Sequence, residues 1–270
     1  MAKERRLKVL GHRGSRGTHP ENTLASFMEA VEAGADGIEM DVQFSADGVG
    51  VVHHDPKIGS KHCLLDGKKP RKAAVIAEID LSTIKRYDCG ATFQTLFPRQ
   101  KLQKSRPTPI LTLEEFFVWA KAEASRLEWV VELKMPPRSQ KVRPDRKAFA
   151  KSTCDLIREQ KIETSVVLQS FDHDLLEECE RILPEVTRSF LFHSEKNFAD
   201  LAARRGATRV SPNFRLLTPR TMARCKDLGL VVTPYTVNRP PSWRQAVKFG
   251  VDALITDYPR KLAAFLDTLA

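Results

Sequence analysis

The chain has 270 residues, with 44 Lys+Arg against 34 Asp+Glu, a formal charge of +10 and 41% hydrophobic residues. This composition supports a large globular core and excludes wholesale disorder. No window approaches the ~20 apolar residues of a spanning helix, and the basic start Met1 to Arg6 leads into too short an apolar run for a signal peptide, so a cytoplasmic location is expected.

In chain order, short β-branched runs alternate with longer amphipathic stretches. Strands are predicted over Lys8–Leu10, Gly37–Val42, Val49–His53, Trp129–Leu133, Ser165–Gln169, Thr187–Phe192, Thr208–Val210, Val231–Tyr235 and Ala253–Thr256. Helices are predicted over Thr23–Ala33, Leu113–Ala122, Arg146–Glu159, His173–Ile182, Asn197–Arg205, Arg220–Leu228, Ser242–Phe249 and Pro259–Leu269. Gly34, Gly206, Gly229 and Gly250 follow four of these helices, where a left-handed C-terminal cap is needed. Thr112 with Glu115 has capping-box spacing, and Thr218-Pro219 places proline at a first helical position.

Eight βα repeats in this length point to an α/β (β/α)8 TIM barrel, and the glycine pattern of a dinucleotide-binding sheet is missing after the first strand. Pro234 inside the seventh strand must fall at an unpaired position or a bulge. Residues 1–270 are expected to form a single catalytic domain, with 57–109 as an inserted basic subdomain too long for a βα loop. Between Lys57 and Arg106 there are twelve Lys/Arg and four Asp/Glu, a local +8 that suits an anionic substrate or a peripheral membrane contact. The segment lacks the interleaved aromatics of a single-strand binder, so no nucleic acid partner is expected. Cys63, Cys89, Cys154, Cys179 and Cys225 are scattered without a C-x-x-C pair and are expected to be reduced, buried thiols.

In a barrel, chemistry sits at the C-terminal ends of the strands. One end runs into Gly11-His12-Arg13-Gly14, a second carries Glu39-Met40-Asp41, a third His53-His54-Asp55 and a fourth Glu132-Leu133-Lys134. Strand alternation points Glu39 and Asp41 to one face, and Glu132 and Lys134 likewise, with Met40, Val42, Val131 and Leu133 facing the helices. Carboxylates crowded into a barrel mouth repel one another and lose hydration, which a divalent cation with oxygen ligands would relieve. His12 and His54 are the acid–base candidates, since imidazole titrates near neutral pH. His53 has the opposite phase and is expected to be structural. Arg13 offers a planar fork for phosphate oxygens, and Lys134 a point charge beside Glu132. Gly14 and Gly17 suggest close backbone approach.

These residues resemble the glycerophosphodiester phosphodiesterases. The resemblance starts with Gly11-His12-Arg13-Gly14, Pro20–Phe27, Gly34–Val42, Asp47-Gly48 and His54-Asp55-Pro56. It continues through Leu111–Glu115, Glu132-Leu133-Lys134, Ser170-Phe171-Asp172, Tyr235–Asn238 and Thr256–Pro259. It implies a TIM barrel with a small insertion after the second βα unit. It also implies one divalent cation, Mg2+ or Ca2+, on Glu39, Asp41 and Glu132, with His12 and His54 as the catalytic acid and base. Arg13 would hold the phosphate with Lys134 nearby, and Tyr235 stands where the family usually has tryptophan, beside the substrate's alcohol. Asn22 belongs to the motif but also reads as a helix N-cap.

The implied reaction is hydrolysis of a small anionic glycerophosphodiester to sn-glycerol 3-phosphate and an alcohol, by water or by the substrate's own 2-hydroxyl. Two alternatives are a lysophospholipase D, with Phe93, Leu96 and Phe97 supplying an acyl groove, and a phosphate-ligand binding barrel without turnover.

Overall fold

A computed structural model of the chain describes residues 7–60, 63–90, 108–136 and 141–269. The barrel staves are β1 (Lys8–His12), β2 (Gly37–Phe44), β8 (Glu128–Leu133), β9 (Val166–Ser170), β10 (Thr187–Phe192), β11 (Arg209–Pro212), β12 (Val231–Val232) and β13 (Ala253–Thr256). They pair in parallel in the order β12, β11, β10, β9, β8, β2, β1, β13, with registers such as Asp41 opposite Glu132 and His12 opposite Glu39.

The seam between β12 and β13 closes through single bonds. Asp252 N–H donates to Val232 O at 3.0 Å, Ile255 N–H to Pro234 O at 3.1 Å and Val237 N–H to Ile255 O at 2.9 Å. Pro234 explains the irregularity. Thr233 and Tyr235 donate to Val210 and Pro212 of β11, so the missing N–H of Pro234 falls on the seam side, where its carbonyl still accepts. The strand expected over Val231–Tyr235 is thereby shortened to Val231–Val232.

Why these segments pack is visible in their phase. Met40, Val42, Val131 and Leu133 are fully buried in the layer between staves and helices, together with Phe27, Phe116, Phe117 and Trp129. Phe27 meets Phe116 edge-on at 5.1 Å, and Phe116 meets Trp129 at 6.1 Å. Each such ring contributes roughly 1.5–3 kcal/mol of burial. Inside the barrel a smaller cluster of Leu10, Val130, Val167, Ala253 and Ile255 fills the floor beneath the mouth. The helix Leu113–Glu123 opens on the Thr112–Glu115 capping box, and Pro219–Asp227 on one formed by Thr218 and Thr221. Gly34, Gly206, Gly229 and Gly250 all have φ near +70°, as their cap positions require.

The run predicted over Val49–His53 is not a stave. Its core, β3 (Gly50–Val52), folds back antiparallel on β2, with Val42 opposite Val52. Beyond it, β4 (Lys57–Ile58) pairs with β6 (Ala74–Val75), and β5 (Leu64–Leu65) with β7 (Tyr87–Asp88). These elements share a separate core of Val51, Ile58, Cys63, Ile76, Ile84, Tyr87 and Ile110. The segment interrupts the second βα unit between its strand and its helix, rather than following the completed unit as the resemblance implied.

One expectation is corrected. Cys63 and Cys89 are not reduced thiols but a disulfide. The β5–β7 register places Leu64 opposite Asp88, so Cys63 and Cys89 form the next cross-strand pair, a proximity that the sequence spacing did not signal. Cys154, Cys179 and Cys225 are free and buried, as expected. No helix among the described residues is long and apolar enough to cross a membrane. Phe93, Leu96 and Phe97 lie outside the described residues.

Candidate active site

Three carboxylates meet at the barrel mouth. Glu39, Asp41 and Glu132 are all buried, and one oxygen from each lies within 4.8 Å of the others. The pleat dictates this, because Glu39 and Asp41 share the inward phase of β2 while Glu132 stands opposite Asp41 on β8.

Each carboxylate is held by a neighbour. Gln169, at the inward position of β9, donates Nε2–H to Glu39 Oε1 at 3.1 Å, and the Arg13 N–H donates to Glu39 Oε2 at 3.0 Å. Asn22 clamps Asp41 from two sides. Its Nδ2 donates to Asp41 Oδ2 at 2.9 Å, and its Oδ1 accepts the Asp41 N–H at 3.2 Å. The expected cap role of Asn22 therefore falls to Thr23, whose side chain accepts from Ser26 N–H. Asn22 adopts φ +58°, a left-handed conformation that asparagine tolerates better than most residues.

Two cations flank the cluster. Lys134 Nζ lies 2.8 Å from Glu132 Oε1 and 3.4 Å from Asp41 Oδ1. Arg13 Nε lies 3.0 Å from Asp41 Oδ2, and its Nη1 donates to Glu21 Oε1 at 2.7 Å. Arg13 is itself buried at φ +50°, and Ser26 Oγ donates to its carbonyl at 2.8 Å. Gly11 makes this loop possible, since a Cβ there would sit 2.3 Å from Gly14 O. Gly14 (φ +83°) and Gly17 are equally closely approached, by Ser26 and by the ring of Tyr258.

The electrostatics follow from this crowding. Burial, reinforced by the charges of Asp41 and Glu132, raises the Glu39 carboxyl well above the usual carboxylate range. Burial also raises Glu132, helped by Asp41 and opposed by Lys134. For Asp41, burial acts upward too, but Arg13 and Lys134 outweigh it and hold the group well below its ordinary value.

The two histidines are each tied to a carboxylate. His12, at the end of β1, has a ring nitrogen 4.0 Å from Glu39 Oε2, and its Nδ1 lies 2.5 Å from Asp257 Oδ1. Burial and the neighbouring Arg13 lower the His12 pKa, against the opposing pull of Asp257. Asp257 is itself fixed, because Asn238 Nδ2 donates to its Oδ2 at 2.7 Å and Asn238 Oδ1 accepts its N–H at 2.8 Å. His54 has its Nδ1 2.7 Å from Asp55 Oδ1, and Gln43 Nε2 donates to the His54 carbonyl at 2.7 Å. Its charge would be felt by both Asp41 and Glu132. With Nδ1 of each ring held by a carboxylate, Nε2 is the atom free for proton transfer.

Tyr235 stands across the mouth. Its hydroxyl donates to Phe192 O at 3.0 Å, and its ring meets the half-exposed ring of Phe171 edge-on at 5.9 Å. Burial raises its pKa, with the charges of Glu132 and Glu195 adding to the effect.

The structure thus brings His12, Arg13, Glu39, Asp41, Glu132 and Lys134 into one cluster, leaves His54 within electrostatic reach of Asp41 and Glu132, and sets Tyr235 on the facing wall. Sequence reasoning gave no site role to Asp257, Asp55, Gln169, Gln43, Asn238, Glu21 or Phe171. Asp55 and Gln169 carried a usable signal, being the residue beside His54 and an inward position on the stave next to Glu132.

Comparison with known proteins bears on the same residues. The family model described as the glycerophosphoryl diester phosphodiesterase family matches residues 12–261. A glycerophosphodiester phosphodiesterase of Caldanaerobacter subterraneus subsp. tengcongensis is 28% identical over 257 residues, covering 94% of this chain and 95% of the relative. A solved structure of a candidate glycerophosphoryl diester phosphodiesterase from Silicibacter pomeroyi is similar with a TM-score of 0.89 and 28% identity, covering 99% of this chain and 95% of that one. A phosphodiesterase of Oleispira antarctica, solved in complex with the product sn-glycerol-3-phosphate, has a TM-score of 0.80 over 96% of each chain. At 22% identity that last likeness speaks for the fold alone.

Proposed function

The chain belongs to the glycerophosphoryl diester phosphodiesterase family, and on that premise we propose that it hydrolyses glycerophosphodiesters to sn-glycerol 3-phosphate and an alcohol. The reading includes a divalent cation on Glu39, Asp41 and Glu132, and acid–base catalysis by His12 and His54. One observation carries it: three buried carboxylates converge within 4.8 Å, with the His12 imidazole 4.0 Å from one of them.

The donor set fits a cation. Asp41 Oδ1 is buried with only the Lys134 ammonium near it, at 3.4 Å, Gln169 Oε1 is buried without a hydrogen bond, and burial, with the crowded negative charge, drives up the pKa of Glu39. All the ligand atoms are oxygens, which suits Mg2+ or Ca2+. A bound cation supplies Lewis-acid polarisation of a phosphoryl oxygen.

The chain's own side chains do the rest. One imidazole takes the proton from the attacking hydroxyl at Nε2, and the other delivers a proton to the departing alkoxide. Asp257 and Asp55 fix the tautomers that leave those nitrogens available. Arg13 Nη1 donates to Glu21 and its Nε lies 3.0 Å from Asp41 Oδ2 in an ion pair, so Nη2 is the nitrogen assigned to the phosphate. Lys134 adds a second positive charge as negative charge builds on the phosphoryl oxygens. Tyr235 and Phe171 form the wall beside the alcohol. Residues 1–270 act in this scheme as one catalytic domain, with 57–109 as its inserted subdomain.

The test is release of sn-glycerol 3-phosphate from glycerophosphocholine by metal-stripped enzyme, before and after Mg2+ or Ca2+ is added back. Loss on stripping and recovery with either ion is expected. Full turnover in the stripped enzyme would overturn the cation assignment, and turnover on lysophosphatidylcholine alone would overturn the substrate assignment.

A further inference from the structure

A second cluster of metal-ligating side chains lies outside this site. A ring nitrogen of His53 and the Sγ atoms of Cys63 and Cys89 all lie within 4.8 Å of one another. We propose that His53, Cys63 and Cys89 form a second metal site, for a borderline-soft divalent cation of the Zn2+ class, opened when the disulfide is reduced.

A disulfide alone needs no imidazole beside it. His53 Nδ1 lies 2.9 Å from Asp55 O, so donation there leaves the lone pair on Nε2. Metal-bound histidines are commonly held this way, the second ring nitrogen donating to a backbone carbonyl. Two thiolates and a neutral imidazole select Zn2+ or Co2+ over the hard cations that suit an all-oxygen cluster. Three protein ligands leave a fourth, open position for solvent.

The ligands stay placed once the S–S bond is gone. Cys63 N–H donates to Gly59 O at 3.1 Å and Cys89 N–H to Thr108 O at 3.0 Å, while the β5–β7 ladder sets the two residues opposite each other. His53 N–H donates to Asp41 O at 3.0 Å. Cys63 is buried against the apolar core of the insertion, whereas His53 and Cys89 are half-buried, which gives a cation a path in.

The chemistry balances with a thiol reductant. Two electrons and two protons from a dithiol break the Cys63–Cys89 bond, and the reductant leaves as its own disulfide. Cation binding then forms two sulfur–metal bonds and releases both thiol protons. His53 is the chain neighbour of His54.

The probe is Co2+ added to the full-length protein in excess Mg2+, which fills the oxygen site. The readout is the near-ultraviolet sulfur-to-cobalt charge-transfer band, which carboxylate ligands do not give. Reduced wild type is expected to develop the band at one equivalent, and oxidised wild type to show none. Cys63→Ser and Cys89→Ser should each abolish it while keeping Cys154, Cys179 and Cys225. His53→Gln should weaken Co2+ binding by at least the ~10–100-fold that a lost outer-shell partner costs. A silent reduced wild type, or a band that survives in either serine variant, overturns the proposal. The comparison of reduced with oxidised wild type stands even if a variant fails to fold, and none of these readouts depends on hydrolase activity.

Discussion

Asp257→Asn isolates the orientation of His12. The carboxylate accepts from Nδ1 at 2.5 Å and is locked by two hydrogen bonds with Asn238, so the amide would occupy the same space. A hydrogen bond to a charged partner is worth about 1.5–3 kcal/mol, and about 1.4 kcal/mol is a factor of ten in rate. Loss of that term alone gives roughly a 10–100-fold fall in kcat. The amide can also donate to Nδ1, which moves the ring proton to Nε2 and removes the base. Such a tautomer error in the serine-protease arrangement reaches ~10⁴. The expected result is therefore a kcat lower by ~10²–10⁴-fold, with KM for glycerophosphocholine changed far less. Steady-state kinetics on the metal-saturated enzyme, with a melting curve to establish folding, provide the measurement. A folded variant with kcat within about threefold of wild type would refute the argument.

His12→Ala and His54→Ala should each lower kcat by ~10²-fold or more, as expected for general acid–base groups, and near-wild-type turnover in either removes its assignment. Asn22→Ala removes the hydrogen bond to Asp41 Oδ2, leaving Arg13 as its neighbour, and should weaken Mg2+ or Ca2+ binding by ~10–100-fold in titration calorimetry, with unchanged affinity counting against the clamp. Gly11→Ala places a Cβ 2.3 Å from Gly14 O, so the His12–Arg13 loop must shift. Turnover should then collapse by far more than the melting temperature does, and equal activity would mean the loop yields freely.

The sequence carries the staves and the inward phase of Glu39, Asp41, Glu132 and Lys134 because both depend on local alternation. Pro234 announced an irregular strand for the same reason. What it did not carry depends on distance along the chain. Asp257 reaches His12 from 245 residues away, with no periodicity linking them. Asn22 sits one residue before a helix, where its composition suggests a cap, and only the folded loop turns it onto Asp41. Cys63 and Cys89 became partners through the register of two two-residue strands, too short to leave a pattern. Arg13 reads from sequence as a fork for phosphate oxygens or an ion-pair partner, and in the fold much of its guanidinium is engaged by Asp41 and Glu21, because a buried arginine needs anions around it.

The stave order divides labour around the ring. β13, β1, β2, β8 and β9 are consecutive, and from them or the turns that follow them come Asp257, His12, Arg13, Glu39, Asp41, Glu132, Lys134 and Gln169. The remaining arc, β10 to β12, reaches the mouth through Tyr235 and the Phe192 carbonyl it holds. Loops on that arc can lengthen, shorten or change polarity without disturbing the balance of buried charge opposite. On the proposed function, a fold arranged in this way can exchange one leaving alcohol for another over evolutionary time while the half that carries the proposed acid–base and cation-binding groups stays fixed.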